Sequence, residues 1–389
     1  LLYLGVIDYP ATCPSGPNII TDYPAINIGE SGMRGVVFKG NRELEVLDFE
    51  VPRPGTGEAL IRMQASGMCG SDLHFYRAES PEKQLISQGF GSFADRGLAS
   101  DTKIIAGHEP SGIIEEVGVG VDPKQFKSGD RVIVFHYEGC GCCDHCRTGW
   151  TQMCVEGAEP HGAIRNGGHA DYMCVPVSTL VHLPSDISFV GGAAIACGTG
   201  TAFGALNRLN VSARDTLVIY GLGPVGLAAV QLGAALGAEV IGVDIDQKRV
   251  EAAKLFGAAH VIDGRSKDPV EEVFKITGGK GASCAIDCAG GEIPKTQAVR
   301  STAPWGRIAL VAVGGNLNVV GWNDLIKSQR TVIGSYTFSI TGMKQCAEFI
   351  AHHGVEVDRV FSDHWNLEQA STAYAAFDSQ VGGKGVFVF

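Results

Sequence analysis

TLVIYGLGPVGLAAVQLGAALGAEVIGVD, residues 216–244, decides the fold. An apolar run leads straight into Gly221, Gly223 and Gly226 at G-x-G-x-x-G spacing; an Ala-rich segment follows, and a second apolar run ends at Asp244. This order predicts strand, glycine turn, helix and parallel strand, the unit that holds a dinucleotide. Gly221 permits the tight turn, Gly223 lets backbone approach a pyrophosphate, and Gly226 brings the helix close to the strand. The phosphates then meet the free N–H groups of the helix N-terminus. Asp244 is placed to accept the ribose hydroxyls, whereas a 2′-phosphate there would face like charge, so the pattern predicts NAD over NADP.

Downstream the same alternation continues through QKRVEAAKLFGA, HVID, EEVFKITGG and ASCAIDCAG, which predicts a doubly wound parallel sheet and an α/β class. Upstream, from Met33 to about Leu183, the chain instead reads as short β runs broken by Gly and Pro: GVVF, EALIRMQASG, SGIIEEVG and RVIVF. The terminal GVFVF is too isolated for the parallel sheet and is expected to rejoin this first, β-rich unit. The expected division is therefore 33–195 with 336–389 in one domain and 196–335 in the dinucleotide domain. Residues 1–32 lack a clear period and form an extension ahead of Met33, an internal candidate start. Gln84 to Thr102 is polar and Gly-rich and is expected to be a long surface loop.

With 389 residues and 45% hydrophobic content there is apolar material for two cores. A formal charge of -11, without a window rich in Lys and Arg, argues against nucleic acid and for a small-molecule ligand. No apolar run reaches the ~18 residues of a membrane span, and LLYLGVI is too short for a secretory signal, so no membrane partner and a cytoplasmic location are expected. Twelve cysteines in such a chain suggest metal or redox chemistry before disulfides.

Cys140, Cys143, Cys146 and Cys154 stand at C-x2-C-x2-C-x7-C in a turn-rich segment. Four thiolates suit tetrahedral zinc, and a site with four protein ligands organises a loop and leaves no position open for chemistry. An iron–sulfur cluster would use the same residues, but the short third gap and following Pro of that pattern are missing. Disulfides or free thiols are the remaining alternative. Cys142 falls off the spacing and is expected to be a free thiol. Cys13, Cys174, Cys284, Cys288 and Cys346 show no ligand spacing and read as packing residues.

GMCGSDLH carries Cys69, Ser71, Asp72 and His74, and AGHEPSG carries His108 and Glu109. Singly, each is more often a packed or solvated side chain than a ligand. Together with G-H-E-x2-G-x5-G from Gly107 to Gly118, the four-cysteine lobe and the Rossmann glycines, in that order, they make the chain resemble the zinc-containing alcohol dehydrogenases of the medium-chain dehydrogenase/reductase family. The resemblance runs from about Met33 to Phe389. It implies a GroES-like, β-rich catalytic domain, a Rossmann domain for NAD, a cleft between them, and a homo-oligomer, dimer or tetramer.

It further implies a catalytic zinc on Cys69, His108 and Cys197, the last from ACGTGTAFGAL, with Glu109 a transient or outer ligand and the fourth position open, and a structural zinc on the four-cysteine lobe, two Zn2+ per chain in all. Ser71 and His74 become the proton path from a small alcohol or carbonyl substrate, and Asp72 a hydrogen-bond partner of the ligand imidazole. Thr201 is implied beside the nicotinamide, Arg249 beside the adenosine ribose and Lys384 at the pyrophosphate. His136 and Tyr137 lie near the position that shapes the substrate pocket, or else in a polar surface loop. His169, where relatives carry Phe or Ala, is expected to be structural. Cys197 favours simple alcohols; polyols, threonine-like substrates, reduction of C=C or C=N bonds, and a non-catalytic NAD-binding role are the competing readings.

Overall fold

The computed structural model describes residues 32–99, 101–379 and 383–389. Expectations for residues 1–31, including Cys13, lie outside the described residues. Six strands, His260–Asp263, Glu239–Asp244, Thr216–Tyr220, Ala282–Asp287, Thr302–Leu310 and Thr331–Gly334, form one sheet in that order, all parallel. Helices cover both faces, which is why the central strands read as unbroken apolar runs: Leu217, Val218 and Ile219 are all fully buried. The chain enters at Thr216–Tyr220, builds to one edge, and returns beside its starting strand at Ala282–Asp287. Strand order therefore reverses at the carboxyl end of Thr216–Tyr220, where the glycine turn lies. The α/β expectation holds.

The second sheet is mixed, in the order Phe361–Trp365, Lys384–Val388, Glu58–Gly67, Glu109–Val117, Arg131–Val134 and Leu180–His182, with Tyr172–Pro176 also pairing with Glu58–Gly67. The C-terminal strand does rejoin this sheet, antiparallel to Glu58–Gly67. Its register has a consequence for chemistry, because Gly67 faces Val386 on one side and Glu109 on the other. Residues far apart in sequence, near 67, 109 and 384, are thereby brought abreast.

A 20-residue helix, Phe189–Arg208, joins the two sheets. It corrects the expectation that no segment is long and apolar enough to span a membrane, yet 78% of its most apolar stretch is buried inside the protein, which is the environment of a core helix. Ala193, Ala194, Ala202 and Leu206 share one apolar cluster with Ile133 of the mixed sheet, the adjoining Phe135, and Leu217 and Ile219 of the parallel sheet. The expected boundary between 195 and 196 falls inside this helix, at a wide π-type turn, Ile195–Thr199. Such turns are frequent at functional sites, and this one carries Cys197.

The expected long loop at 84–102 is more ordered than its composition suggests. Ser80 caps a helix, Pro81–Ser87, by accepting from Lys83 N at 3.2 Å, and Pro81 occupies the first turn, where its missing N–H costs nothing. Leu85 and Phe93 then bury in the cluster around Val36 and Phe38. Two apolar anchors among many polar residues were enough to order the segment.

His169 is structural, as expected. It is fully buried, with Nδ1 2.8 Å from Ser66 Oγ and Nε2 2.8 Å from Tyr374 OH. Gly107, at φ +89°, is needed for this packing, since a Cβ there would lie 2.3 Å from the imidazole. Burial drives His169 down to about 4. The unfolded chain takes up a proton below about 6.5 that native His169 refuses, so this residue withdraws stability as pH falls from about 6.5 to 4. His169→Asn should melt with a shallower acid dependence over that window, the difference amounting to ~3 kcal/mol. Parallel melting curves against pH for both proteins would refute this.

Candidate active site

Cys69, His108, Glu109 and Cys197 come from the loop after the strand Glu58–Gly67, the entry to the strand Glu109–Val117, and the π turn of the joining helix. Their ligand atoms nonetheless lie within 4.8 Å of one another. Cys69 Sγ and Cys197 Sγ are 3.9 Å apart. Two thiolates bound at ~2.3 Å in a tetrahedral shell would sit ~3.8 Å apart, so the donor set and spacing fit zinc. A hydrogen bond from Cys197, with help from His108, holds Cys69 well below its usual range, and the same bond and burial raise Cys197. A dication lets both ionise, which is the chemistry that such a pair requires.

The surroundings orient these donors. Asp72 Oδ1 accepts from His108 Nδ1 at 2.7 Å, and Asp72 Oδ2 accepts from Cys69 N at 2.8 Å. With Nδ1 donating, the lone pair of His108 Nε2 faces the cluster, the arrangement that a metal-ligating imidazole needs. Ser71 Oγ lies 3.1 Å from that same Nε2. Ser71 is exposed, and so is His74, three residues on along the short helix Asp72–Arg77 and hence on the same face.

Glu109 is fully buried, and Lys384, 4% exposed, holds its Oε1 at 2.6 Å. Glu109 Oε2 is buried without a hydrogen-bond partner, and burial pushes the carboxyl up to about 8 against the pull of Lys384. That oxygen has room only because residue 67 is glycine, where a Cβ would stand 2.1 Å from Oε2. Lys384 is thus paired with Glu109. Its ammonium does lie beside the helix that follows the glycine turn: a Cβ on Gly198 would meet Lys384 Nζ at 3.4 Å and Val225 Cγ2 at 3.9 Å.

His136 is buried, not part of a polar surface loop. Its ring stands 4.9 Å from His108 and 4.3 Å from Tyr137, and its Nδ1 lies 3.2 Å from Ala196 O. Burial, reinforced by the nearby His108, holds its imidazole well below the usual range. Tyr137 OH is 3.0 Å from Tyr336 OH, and this hydroxyl pair continues the same wall. Thr199, 1% exposed, adds a buried Oγ1 without a partner two residues past Cys197. Gly67, Thr199 and Tyr336 escaped the sequence reading. Nothing local marks them; only the strand register and the helix turn bring them to the cluster.

At the glycine turn each residue has a distinct geometry. Gly221 has φ +89°, Gly226 would put a Cβ 1.9 Å from Gly221 O, and a Cβ on Gly223 would meet nothing within 4 Å. The first makes the turn, the last closes the helix Pro224–Ala235 on the strand, and the middle one leaves the open cradle that a pyrophosphate needs. Asp244 Oδ2 accepts from Leu222 N at 2.6 Å and Oδ1 from Asp246 N at 2.9 Å, so the carboxylate braces the turn. Arg249 Nη1 stands 4.0 Å from Asp244 Oδ2. Thr201, 9% exposed, lies one helical turn past Cys197 on the joining helix.

The second cluster, Cys140, Cys143, Cys146 and Cys154, also has its sulfurs within 4.8 Å of one another, and Cys140 Sγ and Cys146 Sγ are again 3.9 Å apart. Backbone N–H groups point at them: Cys143 N to Cys140 Sγ at 3.4 Å, Cys146 N to Cys143 Sγ at 3.5 Å, and Cys140 N to Cys154 Sγ at 3.3 Å. The bonds from Cys146 and Val155 hold Cys143 down to about 6, favouring thiolate. Gly139 is required beside them, since a Cβ there would lie 2.6 Å from Cys146 Sγ. These four residues fit a second zinc. Cys142 is disulfide-bonded, which corrects the expectation of a free thiol. Cys174, Cys284, Cys288 and Cys346 are free.

Comparison with known proteins agrees with this geometry. Residues 55–185 match the alcohol dehydrogenase GroES-like domain family, and residues 224–352 match the zinc-binding dehydrogenase family. The chain is 36% identical, over 92% of its length and 99% of the relative's, to an uncharacterized zinc-type alcohol dehydrogenase-like protein of Escherichia coli. It is 31% identical to the sorbitol dehydrogenase of Bacillus subtilis, over 88% of this chain and 92% of that one. Among solved structures, an alcohol dehydrogenase from Thermus sp. ATN1 superposes with a TM-score of 0.78 at 25% identity, covering 91% of this chain and 99% of that one. With one cysteine–histidine cluster, a second four-cysteine cluster, a glycine turn at the sheet's reversal point and these full-length relatives, the chain belongs to the zinc-containing alcohol dehydrogenase family of medium-chain dehydrogenases/reductases.

Proposed function

We propose that the protein catalyses the NAD-linked, reversible oxidation of a small primary or secondary alcohol to an aldehyde or ketone. The observation that carries the reading is the convergence of Cys69, His108 and Cys197, with Ser71 Oγ 3.1 Å from the ligand nitrogen of His108. Zinc, when bound, supplies Lewis acidity that lowers the pKa of an alcohol, and nicotinamide, when bound, accepts the hydride. The chain's own residues do the rest. Asp72 keeps the proton of His108 on Nδ1. Ser71 Oγ takes the proton of the substrate hydroxyl, and His74, on the same exposed face, delivers it to water. Lys384 holds Glu109 by its Oε1, which leaves Cys197 as the third ligand and Glu109 Oε2 as an alternative one. Asp244, at the mouth of the glycine turn, supports NAD over NADP.

A polyol or threonine-type substrate is the second reading, favoured by the Tyr137 and Tyr336 hydroxyls beside the cluster. A turnover panel of alcohols, polyols and hydroxy acids with NAD and NADP tests both. Reduced cofactor should form with NAD and a simple alcohol; activity confined to polyols selects the second reading, and no turnover of any alcohol refutes both. Ser71→Ala should lower kcat by about 10²- to 10⁴-fold with the metal content intact, the usual worth of a positioned proton acceptor. Unchanged alcohol turnover in that variant would take Ser71 out of the proton path.

A further inference from the structure

Gln152 lies in the turn Thr151–Met153, between the third and fourth cysteines of the four-cysteine lobe. Its side chain does not serve the lobe. It is 8% exposed and reaches out to the segment after the last strand of the parallel sheet, where Nε2 donates to Thr337 Oγ1 at 2.9 Å and to Phe338 O at 2.8 Å. Its Oε1 is buried without a partner, so the amide is held by its donors alone. Beside it, Ile340 N donates to Gly149 O at 2.9 Å. The lobe is thus latched to residues 337–340.

The residue it grips is strained. Thr337 has φ +50°, a left-handed backbone that a β-branched side chain rarely adopts. Such a conformation persists only where the surroundings over-determine it. Packing contributes from the other side: a Cβ on Gly204 would stand 2.9 Å from Thr337 O, and one on Gly200 would stand 2.6 Å from the Phe338 ring. Thr337 and Phe338 are therefore clamped between Gln152 and the helix that carries Cys197 and Thr201. The neighbouring Tyr336 is 51% exposed, and its hydroxyl meets Tyr137 OH at 3.0 Å. From Tyr137 the contacts run to His136 at 4.3 Å and on to His108 at 4.9 Å, so a continuous line joins the lobe to the cysteine–histidine cluster.

We propose that Gln152 is a positioning residue: by holding Thr337 left-handed it sets Tyr336 against Tyr137 on the wall of the cleft, and so makes substrate affinity depend on the docking of the four-cysteine lobe. The inference rests on the reading of that cleft as the substrate site.

The test compares Gln152→Ala and the isosteric Gln152→Glu, which loses both donors, each in the native background and with Thr337→Gly, where glycine adopts the left-handed backbone without a Cβ penalty. In the native background KM for the alcohol should rise roughly tenfold while kcat stays within about twofold, the loss expected from two buried hydrogen bonds that act on position and not on chemistry. With Thr337→Gly the same change at 152 should shift KM by less than about threefold. Amide exchange gives a readout without catalysis: residues 335–342 should exchange about tenfold faster in Gln152→Ala, with the zinc content unchanged. If no alcohol is turned over but exchange responds as stated, the latch stands and the proposed reaction falls. Unchanged exchange at 335–342, or an equal KM shift in both backgrounds, overturns the latch whatever the substrate proves to be.

Discussion

Cys197→Ser is expected to remove one of the two zinc ions anticipated per chain and to lower alcohol turnover by about three orders of magnitude or more, with little change in thermal stability. The cluster around Cys197 is open on the side of Ser71 and draws its donors from three separate elements, so few folding contacts depend on a metal there. Serine supplies a neutral, hard oxygen in place of a thiolate and shortens the reach from the π turn, which leaves Cys69 and His108 as two ligands where three are needed. Losing several kcal/mol of Lewis-acid stabilisation corresponds to the drop stated. Zinc analysis, turnover and melting are measured on one preparation. Full activity with full zinc content in Cys197→Ser would transfer the third position to Glu109, and a collapse in melting temperature would show that the cluster is structural after all.

Cys146→Ser should have the opposite signature. Cys146 is 9% exposed at the centre of the lobe, with Cys140 Sγ 3.9 Å away and the backbone of Gly139 against its sulfur. The lobe has little apolar material of its own, and its segment 139–155 is turns and two short helical pieces, Asp144–Arg147 and Thr151–Met153, so four sulfur–metal bonds would stand in for a core. Loss of one ligand is expected to release that zinc and to lower stability by on the order of 5 kcal/mol, or about 10 °C or more in melting temperature. Turnover at low temperature should survive with a raised KM, because the lobe is joined to residues 337–340 through Gln152 and Gly149 and to Tyr137 through Thr151, and not through any ligand of the cysteine–histidine cluster. Native melting with one zinc missing, or with both retained, would exclude a structural metal on these four cysteines.

Much of this protein was legible along the chain. The glycine turn, the helix after it and Asp244 are local: each occupies a few consecutive residues, and their geometry follows from backbone sterics and hydrogen bonding within one βαβ unit. The four-cysteine lobe is legible for the same reason, since its ligands fall within 15 residues and the spacing alone lets the sulfurs meet. Another feature was misread because composition was taken for structure. The segment at 84–102 is polar on average, yet Leu85 and Phe93 pin it. The pairing of Lys384 with Glu109 was not legible at all, because the register of the last strand makes it.

From its residues in order, the chain determined which groups can bind a dinucleotide and which can bind zinc, because those capacities belong to short segments and to side-chain chemistry. Only the tertiary structure decided that Gly67, Glu109 and Lys384 stand abreast, that His136 and the tyrosine pair line up from His108, and that Gln152 reaches Thr337. These are contacts across tens to hundreds of residues, set by strand register and helix packing, and no local pattern encodes which distant side chain arrives opposite which.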